Sequence, residues 1–469
     1  MQLQSGFWLW VMVGAALLWG QIPRRAEAQG PTPHFHVPYT SVQSQLPVPE
    51  RAIFWFGQVG PTDSNYTDVR LIYNDRSLYV TLHIFDRLLF YDTGTPTPAT
   101  LTDWDSASLY LNLDGATGTT PGANTYRFVG QLNHYQARDA YQTAYRGDGA
   151  GWVAASTPFT TTTGWQGGFN DTQTDNGWNI TFQIPFSSLG LPGPPAERTV
   201  WGVAVAVHDR DDAAGTAIPD QPWPAGMNST QPATWGEIAF GLPDYSPPPA
   251  TPGGVVTVRQ GLNGASVPDA MVGGSSTCAQ AIWPNFWAQW GSLNYAGSEF
   301  INVQNQWRLG DWPCFSKYYV TFPLTSLPAG KAILSATLTM YQFGNSDPSQ
   351  AQPSLIQVFT IADTWDEASI TWNNAPQAME NVSRAWVDPI GPPWPNTPRR
   401  WDVSRAVAEA YAAGQPLRLA LYSADNAKHS GKYFRSSDVA DAAVRPTLRV
   451  AWGDGVTLAL RLYLPLVVK

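Results

Sequence analysis

No lysine stands before Lys317, and charged residues of both signs fill only 13% of the 469 positions. The formal net charge is −9. A surface so poor in cations repels phosphate backbones, which argues against nucleic acid as a partner. Cysteine is nearly absent too: Cys278 and Cys314 are the only two, so no Cys-x-x-C pair exists for redox or zinc chemistry. G-x-S-x-G, H-E-x-x-H and phosphate-loop patterns are missing. Long helical periodicity is missing as well. The best helical spacing joins Val403, Ala406, Val407, Ala410 and Tyr411 over about three turns. What fills the chain instead is aromatic and turn-forming, with 22 Trp, 19 Tyr, 19 Phe, 41 Gly and 40 Pro. Together with 43% hydrophobic content, that mixture predicts packed β structure and not disorder. The expectation is an all-β protein of two β-sandwich, jelly-roll-like domains.

Residues 7–20 form an apolar run, and Ala26-Glu27-Ala28 reads as a cleavage site before Gln29. Residues 1–28 are therefore expected to be a signal peptide, and the protein to be secreted or at the cell surface. No Lys or Arg precedes the run; Arg24 and Arg25 follow it, which keeps a misassigned start or an uncleaved anchor as alternatives. Export favours a Cys278–Cys314 disulfide. It would close a loop of about 37 residues, worth roughly 3–4 kcal/mol in the chain-entropy model. Two separate buried thiols are the alternative. Residues 29–45 read as a polar leader. Residues 242–254, with five prolines and Gly253-Gly254, read as a Pro/Gly linker unable to sit in a central strand. The linker predicts two modules, 46–241 and 255–452, each folding alone. The tail 453–469 is apolar but too short to span a bilayer. It is either a sorting or anchoring signal for the cell envelope or one last edge strand.

In the first module, Asp68 to Asp86 alternates Val69, Leu71 and Tyr73, turns at 74–77, and alternates Leu78, Val80, Leu82 and Ile84 on the return. That is a hairpin. Ser106 to Leu113 is a further strand. Trp178, Ile180, Phe182 and Ile184 line one face of another, and Trp201 to Val207 reads as a strand covered on both faces. Asn74-Asp75-x-x-Leu78-Tyr79-Val80, Trp104-Asp105-Ser106, Thr125-Tyr126-Arg127-Phe128, Ile184-Pro185-Phe186, Val207-His208-Asp209 and Thr234-Trp235-Gly236 occur in order. This series resembles the family 9 carbohydrate-binding modules and their DOMON-like relatives. In that family a sugar lies between two tryptophans, beside an acid and an arginine on neighbouring strands. The resemblance implies Trp104 and Arg127 as ligand contacts, with Trp223 as the nearest substitute for the second aromatic. Ser108 stands where the family carries Glu and supplies a weaker hydrogen bond. Packing roles for these tryptophans are the alternative.

In the second module, Thr364-Trp365-Asp366-Glu367 and Thr371-Trp372-Asn373-Asn374 lead to Pro376. This pattern, with Tyr319 to Gly330 and Arg445 to Val450, resembles DNRLRE domains over roughly 255–452. The resemblance implies a carbohydrate-binding or adhesive sandwich with Trp365 and Trp372 in its core. Between the cysteines lie Trp283, Trp287 and Trp290, with Trp307 and Trp312 beside them. They are expected as exposed ligand contacts or as a small hydrophobic cluster, and loops on a rigid sandwich are where binding surfaces are built.

Adjacent Asp366 and Glu367 would face opposite sides of a strand and cannot share a scissile bond. His34 and His36 would share a face in the leader, too few for a metal site. No enzyme activity and no cofactor are expected. Asp209, Asp211 and Asp212 offer oxygen ligands for a structural calcium, with a solvated turn as the alternative. The reading is an exported, non-catalytic protein that binds polysaccharide or another extracellular glycan and could accompany a glycosidase or lyase. Its rivals are a structural or adhesive surface protein, and a haem-binding electron carrier using His83, His134, His208 or Met227.

Overall fold

The computed structural model describes residues 32–42, 50–62, 65–134, 137–274, 286–306, 314–347, 349–425 and 429–455. Residues 1–31, which include the expected signal peptide, together with Cys278, Trp283, Trp307, Trp312 and the tail beyond Gly455, lie outside them.

The first sandwich begins with β1 His34–Val37, β2 Ala52–Gly57, β3 Tyr66–Tyr73 and β4 Ser77–Phe85. It continues with β5 Ser106–Asn112, β6 Thr125–Gln131, β7 Gln142–Gly147, β8 Trp152–Ala154 and β9 Thr160–Gln166. It closes with β10 Gly177–Pro185, β11 Val200–His208, β12 Gln221–Trp223 and β13 Gly236–Phe240. One sheet runs β1-β13-β11-β5-β6-β7-β8 with β12 beside β11; the other runs β2-β3-β4-β10-β9. The predicted hairpin is present as β3 and β4, and the Asn74 carboxamide oxygen accepts the Arg76 and Ser77 amides to close its turn. Trp178, Ile180, Phe182 and Ile184 are fully buried, as their alternation requires. The leader is not outside this domain. β1 pairs in parallel with β13 and buries Phe35 and Val37.

The second sandwich holds β14 Ala250–Arg259, β15 Asp269–Gly273, β16 Phe300–Gln306, β17 Cys314–Phe322 and β18 Ala332–Asn345. After these come β19 Ser354–Ile361, β20 Ala378–Val387, β21 Thr397–Asp402, β22 Leu417–Ser423, β23 Lys432–Arg435 and β24 Thr447–Gly455. Two short helices accompany them, α1 Phe286–Gln289 and the predicted amphipathic α2 Ser404–Ala412. A single eleven-stranded sheet folds over on itself at β16, which pairs with β23 through Phe300–Val303 and with β17 through Gln304–Gln306. The linker is partly strand. Ala250–Gly254 belong to β14, which tolerates Pro252 because it is an edge strand with a register shift there.

The two sandwiches share one core. Trp55, Tyr66 and Phe85 of the first pack in a single buried cluster with Phe315, Phe359, Trp372 and Tyr422 of the second. This explains why every residue of β3 and β4 is buried, including Asp68 and Arg70 on the face predicted to point outward. Asp68 accepts hydrogen bonds from Tyr66 (2.6 Å), Asn305 (2.9 Å) and Tyr422 (3.3 Å). Arg70 donates to the Asn305 carboxamide oxygen and to the Ala424 carbonyl, both at 2.9 Å. Lys317 lies buried between Trp372, Trp55 and Tyr66, its Nζ 3.5 Å from the Trp372 ring centre. The sequence pattern at 371–374 also serves this junction, since Asn373 exchanges two hydrogen bonds with the Val59 backbone.

Candidate functional site

The outer face of the eight-stranded sheet carries a cleft, and the strand pattern says why. On β11, Val203, Val205 and Val207 face the core, so Ala204, Ala206 and His208 face out. The two alanines keep the floor low. On β5 the outward positions are Ser108 and Tyr110. Register places Arg127 of β6 directly between Tyr110 and Tyr145 of β7. The guanidinium carbon lies 5.6 Å from the Tyr110 ring centre and 5.4 Å from that of Tyr145, so the arginine is held between two rings. The resulting cleft has a volume of about 470 Å³ and is walled by Arg127, His208, Arg210, Asp220, Met227 and Ser229. Trp152 and Trp235 pack behind Tyr110 and tie the 228–229 loop through their indole N–H groups.

A polar chain crosses this floor. Arg127 Nη2 donates to Ser108 Oγ at 3.2 Å, Ser108 Oγ is 2.9 Å from His208 Nε2, and His208 Nδ1 is 2.8 Å from Asp220 Oδ1. Burial works against the charge of Asp220. The hydrogen bond and charge of His208, with Arg210 and Arg127 nearby, nevertheless hold its carboxyl below the usual range. Serine, histidine and aspartate in that order form the spacing of a nucleophile and its base. Ser108 is fully buried and already shared by Arg127 and His208, so this relay orients the arginine and does not present a nucleophile.

The sequence-predicted residues divide sharply. Ser108 and Arg127 meet in the cleft. Trp104 is half-buried at its rim, next to Asp103 and close to the loop at Gly215. Trp223 is not a contact: it is buried in the core and stacked on Phe54 at 3.9 Å. Trp287 and Trp290 are likewise buried, Trp290 against Phe286 at 5.0 Å and Trp372 at 4.5 Å. Their positions beside Phe286 on one helical turn could have signalled a buried face. Cys314 is buried at the start of β17; its pairing rests on Cys278, outside the described residues. Trp372 is buried as expected and Trp365 is half-buried against the same core. Asp366 and Glu367 lie in a turn and not on a strand: Asp366 accepts the Ala368 amide, while Glu367 joins Asp269 and Asp438. His83, His134 and His208 stand on three different faces. His83 faces Arg70 and Arg51 at the junction, and His134 lies among Trp165, Phe169 and Tyr91 in an aromatic loop cluster that periodicity does not reveal.

Of the three aspartates expected to offer calcium ligands, two lie together and one does not. Asp209 and Asp211 come together with Asp86, their ligand atoms all within 4.8 Å of one another, a spacing that oxygen ligands of a divalent cation can adopt. Asp212 is exposed and accepts the Thr216 amide of its own turn instead. Asp86 was missed because it lies more than a hundred residues away. Burial, and then the charges of Asp105, Asp209 and Asp211, push its carboxyl well above the ordinary range. Asp105 is raised similarly, yet both its oxygens accept backbone amides, of Phe90 and Arg210. His34, His36 and Glu380 form a third cluster, but Arg405 donates to Glu380 at 2.9 Å and already neutralises it.

Residues 288–451 match Carbohydrate-binding module family 96. The match lies within the span expected to resemble DNRLRE domains and assigns that span to a carbohydrate-binding module; the DNRLRE resemblance itself gains no support from it. The family 96 segment covers most of the second sandwich, including Trp290, Trp372 and α2. Several solved structures align with part of the chain. One is a family 9 carbohydrate-binding module from Caldicellulosiruptor kristjanssonii in complex with cellotriose: identity 17%, 47% of this chain and 100% of that one, TM-score 0.31. Another, from the same organism in complex with glucose, has 17% identity, coverage of 45% and 98%, and a TM-score of 0.33. Identities this low leave ligand and site to be argued from this chain's own residues. No curated protein matches the sequence.

Proposed function

We propose that this protein is an exported, non-catalytic glycan-binding protein whose principal site is the Arg127 cleft. One observation carries the reading: an open cleft on a rigid sheet presents an arginine clamped by two tyrosines, with Asp220 and Ser229 beside it. Fixed planar donors, acceptors and ring faces are what pyranose hydroxyls and C–H faces require. The family 96 match in the neighbouring sandwich supports the same class of partner. Export rests on the apolar run and Ala26-Glu27-Ala28. Contacts come from a sheet face and its rim here, and not from the buried Trp223, Trp287 or Trp290. The test is retardation of the full chain in gels containing different polysaccharides. Retardation that Arg127→Ala abolishes while the melting temperature stays constant is expected. No retardation by any polysaccharide would favour the structural or adhesive role instead.

A further inference from the structure

We infer that the Arg127 cleft takes a carboxylated sugar, a uronic-acid unit of an acidic glycan. The inference rests on the glycan-binding reading and narrows it. Among the described residues, Arg127 makes one hydrogen bond, to Ser108, and no ion pair. Arg210 is buried on the same wall, and among the described residues its side chain donates only to the backbone carbonyls of Asp209 and Thr102. Two guanidinium groups therefore line the cleft with no direct ion pair among the described residues. The acids facing them are Asp220, engaged by His208 at 2.8 Å, and the exposed Asp103.

A desolvated guanidinium lacking a counter-ion is costly, and a ligand carboxylate supplies the planar, charge-assisted partner that it fits. Clamping between Tyr110 and Tyr145 fixes the fork of Arg127 before the ligand arrives, which lowers the ordering cost of binding. The sugar ring then lies toward Met227 and Ser229, where an apolar C–H face and a hydroxyl each find a partner. The chain's net charge of −9 opposes a polyanion at long range, but screening confines that effect to about 10 Å at 0.1 M salt.

Isothermal titration of the full chain tests this with oligomers of galacturonate, glucuronate and mannuronate, their methyl esters, a sulfated oligomer and cellotriose. At least one uronate oligomer is expected to bind tenfold or more tightly than its own methyl ester. Arg127→Gln and Arg210→Gln should each remove that preference, and Arg127→Lys should keep part of it; Arg210→Gln also loses its bonds to the Asp209 and Thr102 carbonyls, so every variant is titrated well below its own melting temperature. Esters binding as well as acids would overturn the carboxylate assignment and leave glycan binding standing. Preference for the sulfated oligomer, or acid binding indifferent to both arginines, would also overturn it. Binding of none of these sugars would remove the cleft as a glycan site altogether.

Discussion

Single side chains here separate binding from stability more cleanly than residue type does. Three tryptophans that resemble ligand contacts, Trp223, Trp287 and Trp290, are buried, while Trp104 stands half-open at the cleft rim. Trp290→Ala and Trp223→Ala should each cost about 3–5 kcal/mol of stability. Trp104→Ala should leave the melting temperature unchanged; loss of a stacking aromatic would weaken glycan retention by about 2 kcal/mol or more. A thermal shift for Trp104→Ala as large as for Trp290→Ala would remove it from the site. Asp269 gives a prediction in pH. Burial, only partly offset by hydrogen bonds from Tyr318 and Ser437, raises its carboxyl from 3.8 to about 7. The folded chain therefore holds a proton that the unfolded chain has released. That stability is fully present below about pH 4 and is lost as pH rises through about 7. Asp269→Asn should flatten the fall in melting temperature between about pH 4 and pH 7. An equally steep fall in the variant would show that another group carries it.

At the scale of elements, the turn after β4 and the loop after β11 converge their acids. Asp86, Asp209 and Asp211 repel one another when ionised, and calcium would remove both the repulsion and the cost of burying them. Millimolar calcium should raise the melting temperature relative to chelator, and more so at higher pH, where protons compete less. A ligand at a hundred times its Kd contributes about 2.7 kcal/mol. Asp209→Asn should abolish the shift and Asp212→Ala should not; the reverse would relocate the site. Strands that bury one face were legible from alternation alone, as in β10 and the β3–β4 hairpin. β1 was read as part of a leader because four residues carry too little pattern to show a sheet partner, and the start of β14 as a linker because Pro252 follows a proline run, though an edge strand accommodates it. Asp68 and Arg70 were read as outward because alternation reports one core and cannot show that a second domain covers the other face. For the same reason the cleft was only half legible. Arg127 and Ser108 came with the family resemblance, whereas Asp220, His208 and Tyr145 become neighbours only through register.

The whole molecule behaves as one body if the junction means what its chemistry implies. Asp68, Arg70 and Lys317 are fully or nearly fully buried, and their partners Asn305, Tyr422 and Trp372 face them across the junction. Separating the sandwiches would expose Trp55 and Tyr66 and strip Asp68 and Arg70 of most of their hydrogen bonds. Calorimetry of the full chain should then give one transition, with calorimetric and van't Hoff enthalpies in agreement. Fragments ending near residue 245 or starting near residue 250 should not reproduce that cooperativity alone, contrary to what a Pro/Gly linker suggests. Asp68→Ala leaves Arg70 buried without its counter-charge, a change that costs about 3–5 kcal/mol in comparable buried pairs. Because the charge sits in a shared core, that loss should move the single transition as a whole. Two transitions in the parent chain, with only the lower one shifted by Asp68→Ala, would mean that the sandwiches unfold separately. The rigid placement of the Arg127 cleft beside the family 96 segment would then have to be given up.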